Sequence, residues 1–307
     1  MSDRHQFAAW GNGWGLAKFR STRQVYAETG LATSTLELDR LVGDNAAYTL
    51  GYYRRLACLV EPHYRDRLLR AIRPSGTERL TEAHRQGRGL VIVAPHLGDF
   101  DVAVAWIAAA IGSAPVVPVA SLGRPLAQRA YAVARRACRF DLVDARQASL
   151  PALNANLRAG RAVILTLDRR AGAKTLSAQL FGRQTQLPAA CISLARRAGA
   201  PLLSAATWNR RGERALAFGE LLGPGTSSER DDDGVLMQRL ATDVEAAIRA
   251  APQQWHIPAH LGQFSATAPN DSPLDHEPKG MLHPDVAAAL PRDRPSTSFE
   301  GFDEALA

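Results

Sequence analysis

Residues 90–112 read LVIVAPHLGDFDVAVAWIAAAIG. The first five, Leu90–Ala94, are apolar and rich in β-branched side chains, and Gly87-Arg88-Gly89 turns the chain just before them. A short apolar run bounded by turn residues predicts a buried strand. After the polar stretch PHLGDFD the chain becomes VAVAWIAAAIG, an apolar helix former. A strand that enters a helix through a polar loop places that loop in the crevice beyond the carboxyl end of the strand, where open α/β sheets bind their ligands.

The pattern repeats downstream. Ala114–Ala120 predicts a second strand, residues 124–138 an Arg-rich helix, and Phe140–Val143 a third strand. A helix over 148–159 leads to a fourth strand, Arg161–Leu167, that ends in Asp168. Leu180–Phe181 reads as a short strand before Gly182, followed by a helix over 188–198 and a strand over Pro201–Thr207. Residues 214–221 extend the sheet and 233–250 form a last amphipathic helix. Upstream, residues 35–72 carry apolar side chains at helical spacing with a break at Pro62, and Gly76–Gln86 predicts another helix. Strands alternating with helices imply a layered α/β/α sandwich with a largely parallel central sheet, capped by N-terminal helices. The expected organisation is an N-terminal helical part over 1–86, an α/β core over 87–262 and a tail over 263–307. That tail holds six prolines and few large apolar residues, and is expected to be disordered.

The charge is uneven. The chain of 307 residues carries +7, but residues 264–307 alone carry −5, which leaves +12 on the body. A basic body suits a polyanionic partner: an anionic membrane, a phosphorylated cofactor or nucleic acid. No RNP-like, helix-turn-helix or zinc pattern accompanies the charge, so nucleic acid is not expected as a partner. Phe7, Trp10, Trp14 and Phe19, followed by Arg20 and Arg23, give residues 5–30 the makings of a membrane-contact segment or of an arm packed on the core; Gly11, Gly13 and Gly15 argue against a regular helix there. The start is polar and no run of about 18–20 apolar residues is present. The expected location is therefore peripheral, at the cytoplasmic face of the plasma membrane, and partly cytoplasmic. Cys58, Cys138 and Cys191 are too scattered for a disulfide framework or zinc knuckle and read as small core residues. No G-x-S-x-G elbow, P-loop or G-x-G-x-x-G after a strand occurs, which disfavours serine esterases and nucleotide-cofactor enzymes.

The loop itself holds His96, Gly98, Asp99 and Asp101. A hydroxyl is a weak nucleophile until a base takes its proton, and histidine titrates near neutrality. A carboxylate on one ring nitrogen fixes the tautomer and stabilises the imidazolium. Asp101, five residues on and in the first helical turn, is the expected partner of His96. Gly98 allows a close backbone approach, and nearby helix amides can meet developing negative charge. Asp99 either caps the helix or tunes His96.

The pattern His96-x4-Asp101 after an apolar strand resembles the signature of glycerolipid and lipid A acyltransferases, and HLGDFD is similar to the H-x-G-N-W-D/E form of the lipid A biosynthesis acyltransferase family. Asp99 stands where Asn is usual and Phe100 where Trp is usual. A second block, residues 162–203, resembles a family stretch through Asp168, Arg169, Phe181, Gly182, Pro188 and the Ala-Arg-Arg-Ala-Gly-Ala run at 195–200. A third, PQQWHIP at 252–258, looks like the Trp-His segment of phosphatidylinositol mannoside acyltransferases. The resemblance spans about 45–260. It implies a glycerolipid-acyltransferase-like fold and O-acyl transfer from acyl-CoA or acyl-carrier protein to a hydroxyl of a membrane glycolipid, with no permanently bound cofactor and no metal. It further implies that Asp168 orients the acceptor or the catalytic helix, and that an Arg among Arg124, Arg135 and Arg136, or Arg169, meets phosphate or the catalytic acid. A soluble acceptor, or hydrolysis of the thioester by water, is the alternative within the same chemistry.

Overall fold

The computed structural model describes residues 14–119, 132–144, 148–169, 174–210 and 212–256. In chain order the strands are β1 (Ile72–Ser75), β2 (Leu90–Ala94), β3 (Val116–Val119), β4 (Asp141–Asp144), β5 (Ala162–Thr166), β6 (Thr175–Leu180), β7 (Arg183–Pro188), β8 (Leu202–Arg210) and β9 (Glu213–Leu222). The helices are α1 (Trp14–Glu28), α2 (Thr35–Cys58), α3 (Pro62–Arg70), α4 (Thr77–Arg85), α5 (Phe100–Ile111), α6 (Leu150–Arg158), α7 (Ala190–Ala198) and α8 (Asp233–Ala250), and residues 132–137 are also helical.

Seven strands form one sheet in the order β1-β9-β8-β2-β5-β3-β4. The five from β8 to β4 are parallel, β9 returns antiparallel to β8, and β1 lies parallel to β9 at the edge. β2 sits at the centre, and its run is apolar throughout because both faces are covered. Leu90, Ile92 and Ala94 pack with α5 and with residues of α2, α3 and α4. Val91 and Val93 point the other way, into a cluster with Leu153, Leu157, Ile192, Leu194, Leu240 and Val244 from α6, α7 and α8. The expected layered sandwich with a largely parallel central sheet is what forms.

Three local expectations are corrected. The helical reading of 35–72 ends early: Glu61 caps a new helix at Pro62, that helix stops at Arg70, and Ile72–Ser75 joins the sheet beside Arg214–Ala217. The brief strand at Leu180–Phe181 is half of a hairpin in which β6 pairs antiparallel with β7 across Phe181-Gly182, both with positive φ. Such a turn matches the twist of the two strands it joins. Near the N-terminus α1 starts at Trp14 and runs through Gly15, with Val25 and Tyr26 fully buried at its far end. Residues 1–13, the segment around Arg124 and the tail over 263–307 lie outside the described residues. Among those described, no helix is long and apolar enough to cross a membrane.

Candidate active site

The site is assembled by sheet register. β2 and β5 are parallel neighbours with Ala94 beside Thr166. Two residues further along each strand, His96 and Asp168 come abreast at the carboxyl edge. Nδ1 of His96 lies 2.8 Å from Oδ1 of Asp168, and the His96 backbone N–H donates to Oδ2 at 2.8 Å. The indole N–H of Trp255 donates to the same Oδ2 at 2.8 Å. Asp168 is buried, and desolvation alone would raise its pKa. The charge of the imidazole and the hydrogen bonds from His96 and Trp255 outweigh burial and hold it below the ordinary carboxylate value. An ionised carboxylate only accepts, so Nδ1 of His96 carries the proton and Nε2 presents a lone pair. The imidazole is 26% exposed, and the ring of Phe100 stacks on it with centroids 5.9 Å apart. His96 is thus held at Nδ1 and partly exposed.

Asp101 is not the carboxylate on His96. It is buried in the first turn of α5 and faces away from the loop, where it accepts from Tyr52 Oη of α2 and from Arg135 Nε at 2.6 Å. Among the described residues no hydrogen bond joins it to His96. The reason is that residues 96–98 do not coil with the helix. They are pinned to residues 254–256 by backbone hydrogen bonds and the Leu97–Trp255 bridge, and α5 begins only at Phe100. Asp101 therefore ties the amino end of α5 to α2 and to the helical residues 132–137.

Asp99 occupies the N-cap position of α5 but makes no side-chain cap hydrogen bond. Its carboxylate is buried in an ion cluster: Arg55 Nη2 lies 2.8 Å from Oδ1, Arg214 Nε 2.8 Å from Oδ2, and Asn209 donates to Oδ2 at 3.0 Å. Burial would raise its pKa, but the two guanidinium groups prevail and keep it lowered. Asp99 neither caps the helix nor touches His96; it locks the head of α5 to α2 and β9. Removing one member of such a cluster leaves an uncompensated buried charge.

The segment 252–256 forms a strap under the loop. Gly98 N–H donates to the Gln254 carbonyl at 3.1 Å and His256 N–H to the His96 carbonyl at 2.9 Å, with Leu97 and Trp255 bridged antiparallel between them. Tyr26 of α1 and Asn45 of α2 bond strap carbonyls in turn. Nε2 of His256 lies 2.6 Å from the Gly98 carbonyl, so it carries the proton. Burial pushes the His256 pKa down to about 4, and the ring is neutral at physiological pH. Gly98 has φ +61°, and a Cβ there would stand 2.3 Å from the Thr207 carbonyl oxygen. The close backbone approach expected of Gly98 is an approach to β8.

Of the basic candidates, Arg135 is committed to Asp101, and that charge holds its pKa up despite burial. Arg136 is exposed and Arg169 half-buried beside Asp168; Arg124 lies outside the described residues. Asp168 holds the imidazole rather than a helix. Trp255 and His256 were legible only as part of a motif block. Tyr52, Arg55, Asn209 and Arg214 carried no signal in the sequence, since each acts through a partner between 44 and 115 residues away.

A family model described as bacterial lipid A biosynthesis acyltransferase matches residues 44–258, well over half of the chain. None of the curated proteins compared with the chain matches it. The chain belongs to the bacterial lipid A biosynthesis acyltransferase family, and it is an acyltransferase.

Proposed function

From that membership, we propose that the protein moves a fatty acyl group from acyl-CoA or acyl-carrier protein to a hydroxyl of a membrane glycolipid, with His96 as general base and Asp168 as its partner. The observation that carries this reading is the His96–Asp168 pair at the carboxyl edge of two parallel strands, with the ring partly exposed. Nε2 takes the proton as the acceptor oxygen attacks the thioester carbon. Asp168 stabilises the imidazolium so formed. The tetrahedral intermediate bears its negative charge near the amino end of α5, where the helix dipole favours it. Collapse breaks the C–S bond, and the imidazolium returns the proton to the departing thiolate. Charge and atoms balance without a metal or a covalent acyl-enzyme.

A mannosylated phosphoinositide is the acceptor to try first, on the likeness of the 252–258 block. The +12 body supports peripheral contact with an anionic bilayer. The test uses radiolabelled palmitoyl-CoA and a polar lipid extract with and without mannosylated phosphoinositides, beside His96→Ala. A labelled lipid that vanishes in the variant supports the proposal. Transfer that persists in folded His96→Ala removes the base assignment. Release of free fatty acid at one rate with and without lipid points to hydrolysis instead.

A further inference from the structure

The strap touches both members of the reacting pair. Its backbone is hydrogen-bonded to the carbonyl of His96 and to Gly98, and its Trp255 indole to the carboxylate of Asp168. Trp255 is fully buried, with its ring against Tyr26 and Phe181 at centroid separations of 6.2 and 5.9 Å.

We propose that Trp255 is a positioning residue for acyl transfer: its indole N–H occupies Oδ2 of Asp168, turns Oδ1 toward His96 and limits the basicity of the imidazole. This inference rests on the reading of His96 as the base. A carboxylate has a finite hold on its donors, and in a site shielded from water each donor draws off part of its charge. With the indole N–H gone, Oδ2 keeps only the His96 backbone amide. The carboxylate then favours the imidazolium more strongly over neutral imidazole. The acid limb of the rate profile moves up.

The charges on the surrounding elements are held by partners of their own and stay paired when Trp255 changes. Asp99 at the head of α5 is neutralised by Arg55 of α2 and Arg214 of β9, and Asp101 by Arg135, with Tyr52 of α2 beside it. Of the other titratable groups among the described residues, Tyr26 packs on Trp255 with its pKa raised by burial, Arg169 adjoins Asp168, and His256 on the strap has a depressed pKa that keeps it neutral across the working range. A displaced limb therefore reports the His96–Asp168 pair.

The experiment compares kcat/KM against pH for the full chain with Trp255 intact, with Trp255→Phe, and with Trp255 replaced by benzothienyl-alanine. That analogue keeps the bicyclic shape and deletes the N–H alone. The expected result is an acid limb displaced upward by about one pH unit in both variants, the size of one lost charge-assisted hydrogen bond, with the donor KM unchanged. Profiles that superimpose on the parent, whatever the fall in kcat, would overturn the inference and leave Trp255 a packing residue. If Trp255→Phe does not fold, the benzothienyl variant decides by the same reading. His96→Ala runs in parallel: turnover there would remove the base assignment, an outcome distinct from an unshifted Trp255 profile.

Discussion

Asp168→Asn and Asp101→Asn, made separately, separate the two carboxylates that compete for the role of partner to His96. Asp168 accepts three hydrogen bonds on two oxygens. An asparagine offers a single carbonyl oxygen and turns an NH2 group toward at least one of those donors. The imidazolium also loses its counter-charge. Loss of tautomer and charge control in a His–carboxylate pair costs about 10^3–10^4 in turnover, or roughly 4–5.5 kcal/mol of barrier. Asp101→Asn breaks a buried ion pair with Arg135 instead, and such a loss destabilises by about 3–5 kcal/mol. In a domain of this size that lowers Tm by roughly 10 °C, while the His96–Asp168 geometry survives. Initial acyl-transfer rates per folded molecule at 25 °C, with melting curves by circular dichroism, distinguish the cases. Asp168→Asn should be folded and nearly inert; Asp101→Asn should be less stable, with activity within about tenfold of the parent. The reverse pattern, a folded but inert Asp101→Asn beside an active Asp168→Asn, would refute the assignment and restore the local His-x4-Asp reading.

Two further outcomes follow from individual contacts. Gly98→Ala places a Cβ 2.3 Å from the Thr207 carbonyl oxygen at φ +61°; with about 1–2 kcal/mol of left-handed strain added to the clash, the loop is displaced, and activity should fall at least a hundredfold with a lowered melting temperature. Asp243 of α8 is largely buried beside Ser204, and burial raises its pKa to about 6. Because the folded state holds this proton more tightly than the unfolded one, the contribution of Asp243 to stability is greatest below pH 4, falls as pH rises toward 6 and is level above. The loss amounts to about 1–3 kcal/mol. Asp243→Asn should erase that slope and melt higher than the parent at pH 8; an unchanged difference between pH 4.5 and pH 8 would rule the carboxyl out as its source.

By itself the sequence determined the class of fold and the strand-to-helix loop that carries His96. Runs such as Leu90–Ala94 and Ala162–Leu165 are apolar at every position because each strand is covered on both faces, and the alternation with helices follows from closing parallel neighbours. The loop at 96–101 was legible for the same reason: a histidine, a glycine and two acids between a strand and a helix are a local pattern. The partner of the base was not. Asp101 is near His96 along the chain, but residues 96–98 pair with the strap at 254–256 and carry the imidazole away from the helix turn. Asp168 is 72 residues distant and meets His96 only because β2 and β5 are adjacent and in register. Register between strands and the seating of a strap beneath a loop are set by how whole layers pack, so tertiary structure alone decided which carboxylate holds the imidazole of His96.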